Sequence, residues 1–426
     1  MAAKRRIIVL IEFRVENYRS LRDEQVLTLE AANVGDENDP RPRQVAGYDK
    51  KLLPVAVLYG GNASGKTNVL AALDFMRAAV VESHARWNPT GGVPRDPFAW
   101  GPKRSSLFEV TILIKSVRYQ YGFVATDDSF IEEWLYAWPN GRKQMWFERE
   151  NTSDFRFGEH LKGQNEIIKE VTRPNALFLS AAVQHQHKSL VEIFAWFRYL
   201  TSINFISSDM LLAALNTAFL DSVLSIKGQL AFAPAGSAEQ KLLTQFRSML
   251  QEADIGISDL KIEKSSPDYQ YRGGPRFLLK HGTDQHDAWL PLEDESRGTQ
   301  TLFRIGIPIL RALRDGSVVL VDELEASLHP ILGQRIVGLF NDPATNPNNA
   351  QLLFTTHDTN LLGTTLGEPV LRRDQVWLTE KKPTGDTELY PLTDFKPRKA
   401  ENLERGYLQG RYGAIPFLGN FMMHSG

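Results

Sequence analysis

The run Gly60-Gly61-Asn62-Ala63-Ser64-Gly65-Lys66-Thr67 carries the strongest chemical signal in the chain. It fits the pattern G-x-x-x-x-G-K-[ST], in which glycines bend the backbone so that its amides converge on an anion and the dipole of the next helix adds attraction. In this pattern Lys66 reaches the β and γ phosphates of a nucleoside triphosphate, and the Thr67 hydroxyl takes one position around Mg²⁺. With Asn62, Ala63, Ser64 and Asn68, the loop is the expected ATP-binding element. Far downstream, the apolar run Val318–Val321 ends in Asp322 and Glu323. A buried strand lying beside the cradle strand would bring Asp322 to the metal and leave Glu323 free to orient and deprotonate an attacking water. His357 follows a third apolar run, Leu352 to Phe354, with Thr355 and Thr356 between. Ligands of parallel α/β sheets gather at that end of a strand, where a neutral imidazole donates to the γ-phosphate and reports its loss. The hexapeptide Glu295-Ser296-Arg297-Gly298-Thr299-Gln300 precedes a helix expected to begin near Leu302. A Ser and a Gly at a helix start suit a second phosphate contact, although alone the hexapeptide reads as an ordinary N-cap turn.

These residues need a particular scaffold. Leu52 to Tyr59 reads as a buried strand running into glycine, and Thr67 to Arg77 has helical periodicity, so strand, loop and helix occur in the order a phosphate cradle requires. Alternation in Ile11–Glu16 and Gln25–Glu30 predicts two paired strands joined by a turn at Asn17 to Asp23. Residues 33–50 have loop composition, and 105–150 suggest an antiparallel sheet with a turn at Pro139-Asn140-Gly141. Residues 160–255 read mainly as helix, clearest at Leu190–Leu200 and Lys241–Gln251. Strands are expected again near 258–264 and 276–292. A second α/β stretch follows, with strands at Val318–Val321 and Gln351–Thr355 and a helix from Pro330. No internal repeat and no extended heptad run occurs. The expected fold is α/β: a P-loop ATPase head with a mixed sheet flanked by helices, an antiparallel β lobe and a helical insertion. Residues 1–160 would carry the first half of the head with the β lobe, 161–260 the insertion, and 261–426 the second half with the acidic strand.

Composition narrows the class. In 426 residues, 42% hydrophobic and 23% charged content is that of an ordinary globular chain, and no stretch approaches the ~18 apolar residues of a spanning helix. The opening Met1 to Ile11 reads as a first strand, not a leader, because Glu12, Arg14 and Glu16 follow at once. Absence of cysteine excludes disulfides and thiolate metal sites and fits a cytoplasmic location. A net charge of −2 leaves only local basic patches for nucleic acid: Arg372 with Arg373, Lys381 with Lys382, and Lys396 with Arg398 and Lys399. Taken alone, each patch reads first as a solvated loop or helix face.

The order of motifs, Gly60 to Thr67, Ser296 to Gln300, Asp322-Glu323 with Ser327-Leu328-His329-Pro330, then His357, resembles the ABC-type ATPase head of chromosome-maintenance (SMC), recombination-repair and overcoming-lysogenization-defect proteins. Within that group, the opening Phe13, Asn17, Arg19 and Ser20, the Glu295 to Gln300 signature and the tail Tyr407 to Pro416 resemble the RloA and abortive-infection ATPases of phage-defence operons. The resemblance implies a homodimer of heads paired head to tail, each ATP lying between Lys66 of one subunit and Ser296 with Gly298 of the other. Binding would close the pair and hydrolysis through Glu323 would open it, with Ser327 to Pro330 communicating between sites. It further implies a sensor ATPase controlling a separate effector, a nuclease encoded nearby; the alternative is a DNA-clamping repair machine. The signature departs from the Leu-Ser-Gly-Gly-Gln of transporters. Gln184 and Gln186 are the candidates for a metal-sensing glutamine, the insertion is too short for SMC arms, and no acidic nuclease module is expected. The segment Gly410 to Gly413 is readable as a turn packing the C-terminus onto the head, as a partner dock, or as a means of presenting Arg411 to a phosphate.

Overall fold

The structure, a computed structural model, describes residues 8–204, 238–253, 256–263, 276–282, 288–365, 367–396 and 401–416. The expected alternation makes β1 (Ile8–Glu16) and β2 (Gln25–Thr28) an antiparallel pair. A short ladder of β3 (Arg43–Gln44) and β4 (Lys51–Leu52) interrupts the polar loop that follows. The strand β5 (Val55–Gly60) is buried along its whole length and delivers the chain to helix α1 (Lys66–Glu82). Next comes a meander of β6 (Ser106–Ile114), β7 (Val117–Ala125), β8 (Phe130–Trp138), β9 (Gln144–Glu150) and β10 (Asp154–Phe157). Asn140, in the turn between β8 and β9, has φ 58°, a left-handed conformation that Asn tolerates better than most residues. Sequence patterning left β1 and β2 as a separate pair; instead β1 adds to β6, and one antiparallel sheet runs β10-β9-β8-β7-β6-β1-β2.

The helical stretch holds α2 (Asn165–Val171), α3 (Phe178–Gln184) and α4 (Val191–Tyr199), then β11 (Thr201–Ile203) and α5 (Ala238–Ala253). The part of the helical expectation between 205 and 237 lies outside the described residues. β12 (Ile257–Glu263), β13 (Arg276–His281) and β14 (Trp289–Pro291) form a small antiparallel sheet. The remaining elements are α6 (Arg297–Asp315), β15 (Val318–Val321), α7 (Pro330–Asn341), β16 (Gln351–Thr355), β17 (Val376–Lys381), β18 (Thr387–Pro391) and α8 (Leu403–Leu408).

Among the described residues the central sheet runs β11-β15-β16-β5-β17-β18, parallel except for β18. Near-continuous apolar runs suit such strands because both faces are covered. Side chains alternate accordingly: Ala56, Leu58, Leu320 and Leu353 enter a core shared with α1 and the antiparallel sheet, whereas Val55, Val57, Tyr59, Val321 and Phe354 enter a core shared with α6 and α7. One expectation needs correction. The acidic strand β15 does not lie beside the cradle strand β5; β16 sits between them, with Leu353 opposite both Leu320 and Ala56.

Side chains join the two sheets: Gln25 of β2 accepts the Leu389 amide of β18 at 2.7 Å, and Gln351 of β16 reaches β1. The β1–β6 register shifts between Leu10 and Glu12, a bulge that turns the Leu10 backbone away from its ladder. The buried Gln351 amide then accepts from the Leu10 amide at 2.6 Å and donates to the Leu10 carbonyl at 2.8 Å. A second correction concerns the surface. Arg372 is buried and bridged to Asp39 at 3.0 Å and Asp374 at 2.9 Å, so it is a structural cation, not part of a nucleic-acid patch. Lys382 pairs with Glu388, and Arg398 and Lys399 lie outside the described residues. No described helix is long and apolar enough to cross a membrane.

Candidate functional site

The site is assembled where β5, β16 and β15 end. Between β5 and α1 the chain passes through Ala63 at φ 60° and Gly65 at φ 103°. A side chain at Gly65 would meet both strain and the hydroxyls of Thr387 and Ser20. Helix α1 begins without a side-chain cap and without a carboxylate in its first turn, so its amides and dipole remain available to an anion. The loop is braced from three sides. Ser64 Oγ lies 2.6 Å from Thr379 Oγ1 of β17, Thr387 Oγ1 of β18 donates to the Ser64 carbonyl at 2.7 Å, and Asn68 Nδ2 donates to Ser20 Oγ at 2.7 Å. Ser20 and Thr387 are themselves 2.7 Å apart. These contacts give the N-terminal Asn17–Ser20 turn a physical role, since its Ser20 reaches the cradle from a distant part of the chain.

Lys66 is buried, and its ammonium donates to the Gly60 and Gly61 carbonyls at 2.8 and 3.1 Å. Burial lowers its pKa, while Asp322, Glu325 and Glu323 pull in the opposite direction. Neutral carbonyls are weaker partners than a phosphate oxygen, so an anion entering the turn competes well for this cation.

Thr67 Oγ1 sits 3.0 Å from each oxygen of Asp322, bringing together the two predicted metal residues across 255 positions of sequence. Thr355 Oγ1, at the end of β16, donates to Asp322 Oδ1 at 2.7 Å and accepts the Glu323 amide at 2.8 Å. The intervening strand therefore fixes the acid pair without displacing it from Thr67. A hydroxyl and a carboxylate are the hard oxygen donors Mg²⁺ prefers, so Thr67 and Asp322 fit that ion. Bound there, Mg²⁺ would offset phosphate charge. Glu323 is exposed and has φ 52°, a conformation disfavoured for a non-glycine residue and common at functional positions. Its charge acts on both Lys66 and His357. His357 is exposed as a residue, yet partial burial of its ring, followed by the Lys66 charge, lowers its pKa and keeps the imidazole neutral near pH 7. Its amide donates to Glu325 Oε1 at 2.6 Å.

The signature residues start a separate helix, α6. Ser296 is the N-cap of α6, accepting the Thr299 amide at 3.1 Å, so the helix begins five residues earlier than expected. Gly298 faces the Ser327 carbonyl, where a Cβ would approach to 3.0 Å. Gln184 closes α3, and Gln186 follows it with φ 61°; both are exposed. Sequence reasoning passed over Thr355, Glu325, Thr379 and Thr387. Thr355 had a readable signal, a hydroxyl ending an apolar strand just before His357, while the contribution of Thr379 and Thr387 depends on sheet order alone.

A cradle on one parallel strand, an acid pair and a histidine on its neighbours and a separate capped signature helix define a P-loop nucleotide-binding head. The family model described as "AAA domain, putative AbiEii toxin, Type IV TA system" matches residues 55–363, and the chain belongs to that family. No curated protein matches. Among solved structures, the SMC head domain from Thermotoga maritima aligns at 12% identity over 90% of this chain and 98% of its own, with a TM-score of 0.39. An SmcHead bound to the C-winged helix domain of ScpA aligns at 13% identity over 89% of this chain and 96% of its own, with a TM-score of 0.44.

Proposed function

We propose that this protein hydrolyses ATP at the Lys66–Asp322 site and works as a nucleotide-driven association switch in a defence or toxin system, controlling a separate effector. The observation that carries the reading is the convergence of Thr67, Asp322 and Thr355 below an uncapped helix N-terminus. The roles follow from chemistry. Gly60, Asn62, Ala63, Ser64 and Gly65 with Lys66, Thr67 and Asn68 hold the phosphates, Thr67 and Asp322 the metal. Glu323 accepts the proton of water, and the neutral His357 donates to the terminal phosphate. Ser296 and Gly298 serve the site of a second copy. The signature and tail resemblance and the family's toxin description support the defence setting. Burial of Arg372 removes one of the basic patches on which the DNA-machine alternative relied.

The test is a pair of variants. Lys66→Ala abolishes ATP binding, whereas Glu323→Gln binds ATP and loses turnover by at least about a hundredfold, the scale of a removed general base. Turnover of Glu323→Gln at the parent rate sinks the assignment.

A further inference from the structure

The tail motif lies outside the family match, which ends at residue 363, and the proposed chemistry makes no use of it. It is folded as a hook. Asn402 caps α8, after which the chain turns through Gly410 and Gly413 and the strained Ala414 at φ 58°. Tyr407, 7% exposed, closes the hook by donating its hydroxyl to the Ala414 carbonyl at 3.1 Å. Tyr412 is also buried, and its hydroxyl bonds Glu401 at 2.8 Å. Arg411 pairs with Glu401 at 2.6 Å.

The hook ends on the cradle. A Cβ on Gly61 would approach both N and Cα of Pro416 to 3.1 Å and the Ile415 carbonyl carbon to 3.3 Å, so the closed hook lies against the first turn of the glycine loop. The Tyr407 ring packs edge-on against Tyr59, the fully buried residue before Gly60, with centroids 5.5 Å apart. Tyr59 in turn donates to the Asp358 carbonyl at 2.8 Å, next to His357, and Glu404 of the hook accepts from Thr359 at 3.2 Å. One short segment thus touches the entry of the phosphate loop and the loop that carries the histidine.

We infer that the C-terminal hook, Asn402 to Pro416, is part of the nucleoside triphosphate site, and that Tyr407 is a positioning residue that, by closing the hook against Gly61 and packing on Tyr59, holds the entry of the phosphate-binding turn. Phosphate binding by backbone amides depends on their prior orientation, so freeing the entry glycines weakens the cradle although no ligating atom is lost. The inference rests on reading Gly60 to Thr67 as a nucleotide cradle.

The experiment uses the full chain and ATP with Mg²⁺. In Tyr407→Phe the ring still packs on Tyr59, but the hydroxyl bond to the Ala414 carbonyl that closes the hook is gone. Affinity for ATP is expected to fall on the order of tenfold, the effect of one buried hydrogen bond. The ATP-induced rise in Tm shrinks accordingly, while the Tm without nucleotide stays near the parent value. A residue that merely packs the tail would do the reverse, lowering the nucleotide-free Tm and leaving the ATP increment intact. Truncation after residue 400 is the companion variant and is expected to lose the same increment. Parent-like ATP affinity in Tyr407→Phe, alongside loss of binding in Lys66→Ala, overturns the role of the hook alone. Retention of ATP binding in Lys66→Ala overturns the cradle reading beneath it.

Discussion

Thr355 shows how one hydroxyl organises the chemistry. Fully buried at the end of β16, it gives its proton to Asp322 and takes the Glu323 amide, so one side chain sets both carboxylate positions. Thr355→Val keeps the shape and removes both bonds. It leaves the Glu323 amide and one Asp322 oxygen without that partner, an arrangement that costs about 1–3 kcal/mol. Urea unfolding should register that loss, and kcat should fall more than KM rises, because the acid pair is displaced while the phosphate loop is intact. A variant with parent kcat would remove Thr355 from the catalytic arrangement. The motif residues themselves were legible in the sequence: Lys66, Thr67, Asp322 and His357 sit where their spacing predicted, each at the end of a buried strand or the start of a helix. Thr355 carried a signal, a hydroxyl ending an apolar strand, but its partners Asp322 and Glu323 could be named only once the neighbouring strand was known.

Elements were legible where burial imposes a pattern and obscure where order in space matters. β5 and β15 are apolar runs and β16 is apolar between Gln351 and Thr355, α4 falls within a residue of its periodic segment, α7 starts at Pro330 as expected, and α1 runs five residues beyond its expected end at Arg77. The insertion of β16 between β15 and β5 left no trace in local pattern, because any of three fully buried strands could occupy the centre of a parallel sheet. The N-terminus of α6 was misplaced because Arg297 to Gln300 is polar and matches no apolar stripe, although Ser296 has the chemistry of a cap. One bridge across the seam between the sheets is Gln351, whose amide answers a β1 bulge that only the register reveals. Gln351→Leu leaves the buried Leu10 amide and carbonyl without it. A destabilisation of at least about 2 kcal/mol follows from two such groups, read as a lowered denaturant midpoint with an unchanged slope. A midpoint equal to the parent's would mean that the bulge is satisfied by other partners.

For the molecule as a whole, the informative fact is that the contacts of the signature residues are with α6 and the Ser327 segment and not with the residues of the cradle loop. Ser296 caps α6, and Gly298 lies against Ser327 of the segment that follows the acid pair. A glycine held against that segment lets the exposed start of one helix present its amides to a phosphate carried by a second copy, as the head-to-tail proposal requires. In the Glu323→Gln background, where ATP persists, ATP should convert monomer to dimer in sedimentation velocity runs. Adding Ser296→Arg should keep the chain monomeric with nearly unchanged ATP affinity, since the cradle is distant in sequence and separately braced. Ser296→Ala is the control: both substitutions lose the cap, worth about 1 kcal/mol, but only arginine adds bulk at the contact. If the arginine variant dimerises with ATP as readily as the alanine variant, the two sites are not shared between copies, and whatever ATP does in this protein is done within one subunit.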